Sequence, residues 1–219
     1  MSCCDICDEL DSIKAEQAWG REALTLLLQH AGLQVPGAPP ASGNYWNPAD
    51  KATEITLSNS DKTAEGAVSG TVVRSITAHS TGKYYAEILI GGNGNICAGL
   101  ATGSYNLEGA NYLLLGTGGL GWDTADTGVS EEGVSIGFMD SAATTDQVVG
   151  IAVDFATNKV WFAEDNVFVG DPAAGTDGFT FGIAAPLYLA TCPYDGSATL
   201  RTASGDFSYT PPTGFTAWG

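Results

Sequence analysis

Short apolar runs recur along most of the chain, and beyond residue 45 none of them keeps a helical period. Glycine, asparagine, aspartate, serine or proline bounds each run, which is typical of strands joined by tight turns. The predicted strands are residues 52–58, 70–78, 83–90, 96–101, 111–115, 134–139, 148–155, 159–164, 186–192 and 197–202. Because no helices separate them, the pattern predicts an all-β antiparallel sandwich or barrel and argues against βαβ units.

The run KYYAEILI at 83–90 shows how alternation assigns faces. Successive side chains of a strand point to opposite sides. One side carries Tyr85, Glu87 and Leu89, and the other carries Tyr84, Ala86, Ile88 and Ile90. The second side is more uniformly apolar, so we expect it to face the core.

Residues 148–162 place two apolar runs on either side of a short polar centre. A nucleotide-binding α/β enzyme would continue from the first run into a helix. Here the chain turns through residues 156–158 and enters the second run at once. This arrangement predicts a β-hairpin with Trp161 in the core, while Gly150 and Ala152 allow close packing of the sheet.

Helical character is confined to residues 5–31, which contain no proline and begin with acidic residues that suit a helix N-terminus. Steps of three and four residues give a heptad pattern through Cys3, Ile6, Leu10, Ile13, Gln17, Gly20, Leu24, Leu27 and Ala31. Gln17 and Gly20 weaken its middle. The pattern fits either one amphipathic helix on a partner or a short parallel bundle, a trimer or dimer, with Cys3 in register between chains.

Three of the five cysteines, Cys3, Cys4 and Cys7, fall within the first seven residues. An odd number argues against a closed intrachain disulfide framework. Interchain disulfides are the favoured interpretation, with pooled zinc ligands and reduced thiols as alternatives. No fourth ligand follows at zinc-like spacing, so no metal site is predicted. Cys97 and Cys192 lie in apolar runs and are expected to be small buried hydrophobes.

A proline-rich spacer at 33–43, LQVPGAPPASG, marks the domain boundary. The predicted organisation is a helical anchor or oligomerisation segment at 1–32, a linker at 33–44 and a β-sandwich at 45–219.

The net charge of −17 changes the range of expected partners. A surface this acidic repels the phosphate backbone, which argues against nucleic acid as a binding partner. No apolar run is long enough to span a membrane. Acidic residues near the N-terminus argue against a secretory signal, so we expect synthesis in the cytoplasm.

Sequence motifs that suggest catalysis lack the neighbouring residues that the chemistry requires. Residues 116–121 satisfy G-x-G-x-x-G, but the following residues resemble a loop where a dinucleotide site needs a helix, so a tight-turned loop is expected. The two histidines lack a triad context, and no carboxylate pair has glycosidase spacing. Calcium binding stays an open alternative at Asp123, Asp126 and Asp171, although no calcium-loop pattern is present. The sequence therefore predicts no enzyme and no cofactor.

Aromatic residues in polar loops are the remaining candidates for ligand contact. Tyr105, Trp122 and Tyr194 lie in or beside loops rich in glycine, asparagine and aspartate, and Asp123 follows Trp122. Such aromatics suit stacking on sugars or anchoring of peptides. For Trp122, packing in the core is an equal alternative.

The order of several motifs resembles the SPRY domain. They are GKYYAE at 82–87, AGLA at 98–101, GW at 121–122, VVGIAVD at 148–154, KVWF at 159–162, PLYLA at 186–190, Phe207, and PPTGF at 211–215. The chain departs from the family at Leu189, where proline is usual, and at 164–167 and 201–205. The resemblance implies a bent, jelly-roll-like sandwich of two sheets without chemistry of its own, whose loops at one end bind a ligand, usually a protein segment.

Trp46-Asn47-Pro48 and the closing PPTGFTAW are similar to SPRY-like domains of tailed-phage virion proteins. Together with the N-terminal helix, this similarity implies a non-enzymatic fibre or decoration protein of the virion. Its expected partners are a capsid, collar or tail protein, further copies of the chain and a host-surface glycan. The alternative is a cellular SPRY adaptor that binds a short peptide of a partner protein.

Overall fold

The computed structural model describes residues 45–108 and 116–219. Within these ranges the chain forms sixteen β-strands and no helix. The predicted anchor segment at 1–32 with its helix at 5–31, the linker at 33–44 and the predicted strand at 111–115 lie outside the described residues. In the described ranges, no helix is long and apolar enough to cross a membrane.

The strands form two sheets. In chain order they are β1 (Trp46–Lys51), β2 (Thr56–Ser58), β3 (Thr63–Gly66), β4 (Val73–His79), β5 (Lys83–Gly92), β6 (Cys97–Thr102), β7 (Gly119–Asp123), β8 (Gly128–Glu131), β9 (Val134–Phe138), β10 (Val148–Asp154), β11 (Lys159–Glu164), β12 (Val167–Phe168), β13 (Phe179–Thr180), β14 (Leu187–Cys192), β15 (Gly196–Arg201) and β16 (Thr216–Ala217). Sheet A has the order β1-β4-β14-β6-β7-β8-β9. Sheet B runs β12-β11-β10-β5-β15-β3-β2, with β13 beside β11 and β16 beside β5.

Pairing between these described strands is antiparallel except for β16, which runs parallel to β5. The predicted antiparallel sandwich is therefore confirmed. The main core lies between the sheets, and Ala86, Ile88 and Ile90 of β5 face it fully buried, as their alternation predicts. Full burial of one large aliphatic side chain contributes about 1.5–3 kcal/mol to stability.

Strands β10 and β11 form the predicted hairpin, joined by six paired residues. Asn158 in their turn has φ of 52°, a left-handed conformation that asparagine tolerates. Trp161 is fully buried, as expected, but not between the sheets. It lies on the outer face of sheet B with Tyr85 and Phe215.

Strand β7 corrects the loop expected at residues 116–121, because it pairs with both β6 and β8. Gly99 lies directly opposite Gly121. A Cβ at Gly99 would overlap the backbone carbonyl of Leu120, so the close approach of the two strands requires glycine. Gly119 and Gly121 are therefore residues of an interior strand, while Gly116 and Gly118 lie in the turn before it, as expected.

The pattern also misses β1, which is polar, and the strands of two to four residues β3, β8, β12, β13 and β16. The sequence WNPADK of β1 contains Pro48, which lacks a backbone N–H. This strand lies at the edge of sheet A, the position in a sheet where proline is tolerated.

One end of the sandwich, which we call the acidic end, collects the turns at 52–55, 67–72, 93–96, 124–127, 139–147, 165–166 and 193–195. These turns contain six aspartate or glutamate residues and no lysine, arginine or histidine. Hydrogen bonds join neighbouring turns, from Asn93 N to Asp195 O and from Ala143 N to Thr124 O.

Candidate functional site

A shallow groove of about 560 Å³ lies on the outer face of sheet B at the acidic end. Four adjacent strands, β2, β3, β15 and β5, contribute to its lining. The lining residues are Glu54, Thr56, Glu65, Gly66, Ala67, Gly92, Asn93, Asp195, Gly196 and Ser197. Acidic, hydroxyl and amide side chains thus surround a floor of glycine and alanine.

Alternation along the strands decides which side chains line this groove. Ala64 and Ala198 face the core, so their sequence neighbours Glu65 and Ser197 project outward. The register places Glu65 opposite Ser197 on one side and opposite Thr56 on the other. One carboxylate and two hydroxyl groups therefore form a row across three strands.

Two turns at the end of the groove hold each other in place. The backbone N–H of Asn93 donates to the carbonyl oxygen of Asp195 over 3.2 Å, and Asn93 Nδ2 donates to Asp195 Oδ2 over 2.9 Å. The N–H of Asp195 donates to the carbonyl oxygen of Gly66 over 3.1 Å. These bonds fix the Asp195 carboxylate at the groove.

Glycine keeps the floor of the groove low. A Cβ at Gly66 would lie 2.6 Å from the carbonyl oxygen of Pro193. A Cβ at Gly92 would lie 3.1 Å from the Cα of Gly196, and Gly92 also has φ of 67°. Larger residues at these positions would collide with the neighbouring backbone, so the absence of side chains creates the depression.

The chemistry of the groove favours particular ligands. Its described lining includes three carboxylates, Glu54, Glu65 and Asp195, and no basic residue. Carboxylates bind ammonium and guanidinium groups by charge-assisted hydrogen bonds and accept hydrogen bonds from hydroxyl groups. Like-charge repulsion disfavours an anionic ligand.

The aromatic residues predicted as ligand contacts fall in different environments. Tyr194 is 39% exposed and directly precedes Asp195 in the chain, although it is not one of the residues that line the groove. Tyr105 and Trp122 are buried, and the indole N–H of Trp122 donates to the carbonyl oxygen of Asp126 over 2.9 Å. Their rings are not available for stacking at the surface in this conformation. For Trp122 the structure shows the core-packing alternative.

Asp123, the fourth predicted contact, ends β7 outside the groove lining. The pKa of its carboxyl group lies above the ordinary value, mainly because of burial. The backbone N–H of Ala125 lowers this pKa, and the negative charge of Asp126 raises it. Its Oδ1 accepts the Ala125 N–H over 3.2 Å, so the side chain stabilises the turn. The structure therefore does not bring Asp123 together with Tyr194 in this groove.

Metal ligands do not cluster in the described ranges, where no three or more histidine, cysteine, aspartate or glutamate side chains could hold an ion together. The predicted anchor residues lie outside the described residues and stay predictions. They are Cys3, Cys4, Cys7, Ile6, Leu10, Ile13, Leu24 and Leu27.

Sequence reasoning missed most of the groove. Glu54, Glu65 and Ser197 belong to short polar segments that carry no motif. The usable signal was a pair of turn dipeptides, Gly92-Asn93 and Asp195-Gly196, each at the end of an apolar run. Only the sheet order shows that these two turns lie side by side.

No family model matches the chain, and no curated protein matches it. Solved structures do match. The SPRY domain of human HERC1 gives a TM-score of 0.56 at 11% identity, over 71% of this chain and 96% of that chain. The described part of the chain has a SPRY-like fold.

Two further structures agree with this SPRY-like fold. The TRIM65 PSpry domain gives a TM-score of 0.54 at 12% identity, over 72% of this chain and 91% of that chain. Stonustoxin gives a TM-score of 0.54 at 14% identity, over 72% of this chain but only 27% of the toxin chain. Identities this low establish the fold, so ligand and partner have to be argued from the residues of this chain.

Proposed function

We propose that this protein is a binding module without catalytic activity of its own, and that its SPRY-like sandwich takes a ligand in the groove at the acidic end. The observation that carries the proposal is the row formed by Thr56, Glu65 and Ser197 beside the fixed carboxylate of Asp195. This arrangement offers several hydrogen-bonding groups in a concave, glycine-floored surface.

The ligand that fits this chemistry best is a glycan that is neutral or carries amino groups. Neighbouring sugar hydroxyls donate to carboxylates and exchange hydrogen bonds with serine and threonine hydroxyls. Tyr194, which is 39% exposed and directly precedes the lining residue Asp195 in the chain, supplies an aromatic ring for a sugar face in this proposal. Acidic polysaccharides are disfavoured because Glu54, Glu65 and Asp195 would repel them.

The biological setting that we propose is a tailed-phage virion, in which the protein serves as a fibre or decoration protein. The helical pattern at 1–32 and the spacer at 33–44 support an anchor that projects the sandwich from a capsid, collar or tail partner. Peptides of the chain in purified phage particles would support this setting. Their absence from particles, with the protein present in the host cell, would contradict it.

A second candidate is a cellular adaptor that recognises a short peptide. The same three groove carboxylates favour this candidate when the peptide carries lysine or arginine. The two candidates differ in their ligand, so one experiment separates them.

That experiment screens the full-length chain against neutral, amino and acidic glycans and against basic peptides. Asp195→Asn is expected to weaken binding of the selected ligand about ten- to a hundredfold, since a hydrogen bond to a charged group contributes about 1.5–3 kcal/mol. Asp177→Asn is the matched control, because Asp177 and Asp195 both have positive φ, 53° and 56°, and Asp177 lies outside the groove. Binding of basic peptides alone would support the adaptor. Equal binding by both variants would contradict the proposal that the groove is the binding site.

A further inference from the structure

Two buried cysteines lie opposite each other in sheet A. Cys97 begins β6, Cys192 ends β14, and the register pairs them directly. Their exposed fractions are 2% and 0%. Directly opposite residues of antiparallel strands have Cβ atoms about 4.5–5.5 Å apart. A disulfide needs a Cβ separation of about 3.5–4.5 Å and Cα atoms within about 6.8 Å, so a small adjustment joins the two sulfurs.

The surroundings of this pair isolate it. The two side chains belong to a small cluster on the outer face of sheet A, with Val72, Ala101, Tyr105 and Ala190. The remaining three cysteines of the chain all lie within the first seven residues. Within the described residues, Cys97 and Cys192 are therefore each other's available cysteine partner.

We propose that Cys97 and Cys192 form an oxidisable dithiol that closes into a disulfide between β6 and β14. With hydrogen peroxide as oxidant, one sulfur attacks a peroxide oxygen, the O–O bond breaks, and a sulfenic acid and water are formed. The second sulfur then displaces the hydroxyl group as water, and the S–S bond forms. The two thiols give up two electrons and two protons, which convert one hydrogen peroxide to two waters.

The surroundings of the two thiols make their oxidation slow. Burial raises the pKa of the Cys97 thiol, and Asp123 and Cys192 raise it further. Burial also raises the pKa of the Cys192 thiol, to about 11. The backbone N–H groups of Gly70 and Thr71 oppose this increase, and the negative charge of Asp123 adds to it. Because the thiolate is the reactive form, the reduced pair resists brief oxidation. The same burial shields the disulfide from reductants once it has formed.

The test uses the folded full-length chain, treated with hydrogen peroxide, then blocked with N-ethylmaleimide in acid denaturant and digested with trypsin. Tryptic cleavage after Lys83, Lys159 and Arg201 places the two cysteines in separate peptides, 84–159 and 160–201. The N-terminal cysteines fall in a third peptide, 1–14. Each possible linkage therefore has its own mass.

We expect the 84–159 and 160–201 peptides to appear joined, with a loss of two hydrogen masses. The triple variant Cys3→Ser, Cys4→Ser, Cys7→Ser keeps this linkage, and Cys97→Ala removes it. If Cys97→Ala fails to fold, the triple variant alone still decides the question. Two separately blocked peptides after prolonged oxidation would overturn the proposal, and so would linkage of either peptide to residues 1–14.

Discussion

The phenol of Tyr85 donates a hydrogen bond of 3.1 Å to Oε1 of Glu87, two positions further along β5. Glu87 has no exposed surface, and its carboxylate also accepts the backbone N–H groups of Ser208 and Tyr209 over 2.7 and 2.9 Å. Arg201 Nη1 lies 3.4 Å from Oε2 and supplies the opposite charge. This one buried carboxylate therefore holds the C-terminal segment against the outer face of sheet B.

Glu87→Gln is expected to lower the free energy of unfolding by about 1.5–3 kcal/mol, since the amide replaces a charged acceptor and brings an extra donor. Chemical denaturation measures the change. Glu65→Gln, on the exposed surface of β3 in the same sheet, is the control and should stay within about 0.5 kcal/mol of the wild type. Equal losses in the two variants would show that the network around Glu87 contributes nothing particular.

Gly99→Ala should destabilise sheet A strongly, near or above the upper end of the roughly 1–3 kcal/mol that overpacking costs. The added methyl group overlaps the carbonyl of Leu120 on β7, and backbone cannot yield as a flexible side chain does. Gly128→Ala on β8 is the control, because nothing lies within 4 Å of a Cβ there. Thermal unfolding that moves by the same amount in both variants would contradict the close approach of β6 and β7.

The buried carboxylate of Asp154 should make stability depend on pH. Burial raises its pKa, but the Lys83 ammonium, the Ala156 N–H and the Thr157 hydroxyl outweigh burial, so the pKa lies below its ordinary value. A lowered folded-state pKa stabilises the protein above the unfolded pKa of about 3.9, and this contribution is lost as the pH falls through the folded value.

Asp154→Asn is therefore expected to be less stable than the wild type at neutral pH, with the difference shrinking as the pH falls below about 4. Urea denaturation across this range measures it. In a Lys83→Met background the same substitution should cost less, because Lys83 Nζ is 3.1 Å from Asp154 Oδ2 in the wild type. A constant difference at every pH would mean that the charge of Asp154 is not involved.

Two of the aromatic residues predicted to contact a ligand should behave in opposite ways. Tyr194→Ala is expected to weaken glycan binding while stability changes by less than about 0.5 kcal/mol, because the residue is partly exposed. Trp122→Ala should lower the free energy of unfolding by about 3–5 kcal/mol, because the ring is fully buried. Binding and denaturation are measured on the same preparations. A stable Trp122→Ala variant that loses only binding would reverse this assignment.

Much of the sandwich could be predicted because its signals are local. Alternation placed Ala86, Ile88 and Ile90 in the core, and the polar turn at 156–158 marked the hairpin. The loop predicted at 116–121 holds for the turn at 116–118 but was wrong for 119–121, because glycine has two uses. It allows tight turns, and it also allows backbones to approach closely, as at Gly99 and Gly121.

The groove could not be predicted because its parts are distant in the chain. Glu65 and Ser197 become neighbours only through the order β15-β3-β2, and Asn93 meets Asp195 only through paired turns. The role of Glu87 was hidden for the same reason. Alternation placed its side chain on the face away from the core, and nothing in the local sequence shows that the returning C-terminal segment covers it.

The acidic turns give the groove end of the sandwich a negative potential, because they carry six carboxylates and no basic residue. At the opposite end of sheet B, Lys62, Lys83 and Arg201 pair with Asp206, Asp154 and Glu87, which compensates their charges. A positively charged molecule approaching in dilute salt is therefore drawn toward the groove before any contact forms. The screening length is about 8 Å at physiological salt, so the rate of association with such a molecule should fall steeply as salt is added, while its rate of departure changes far less.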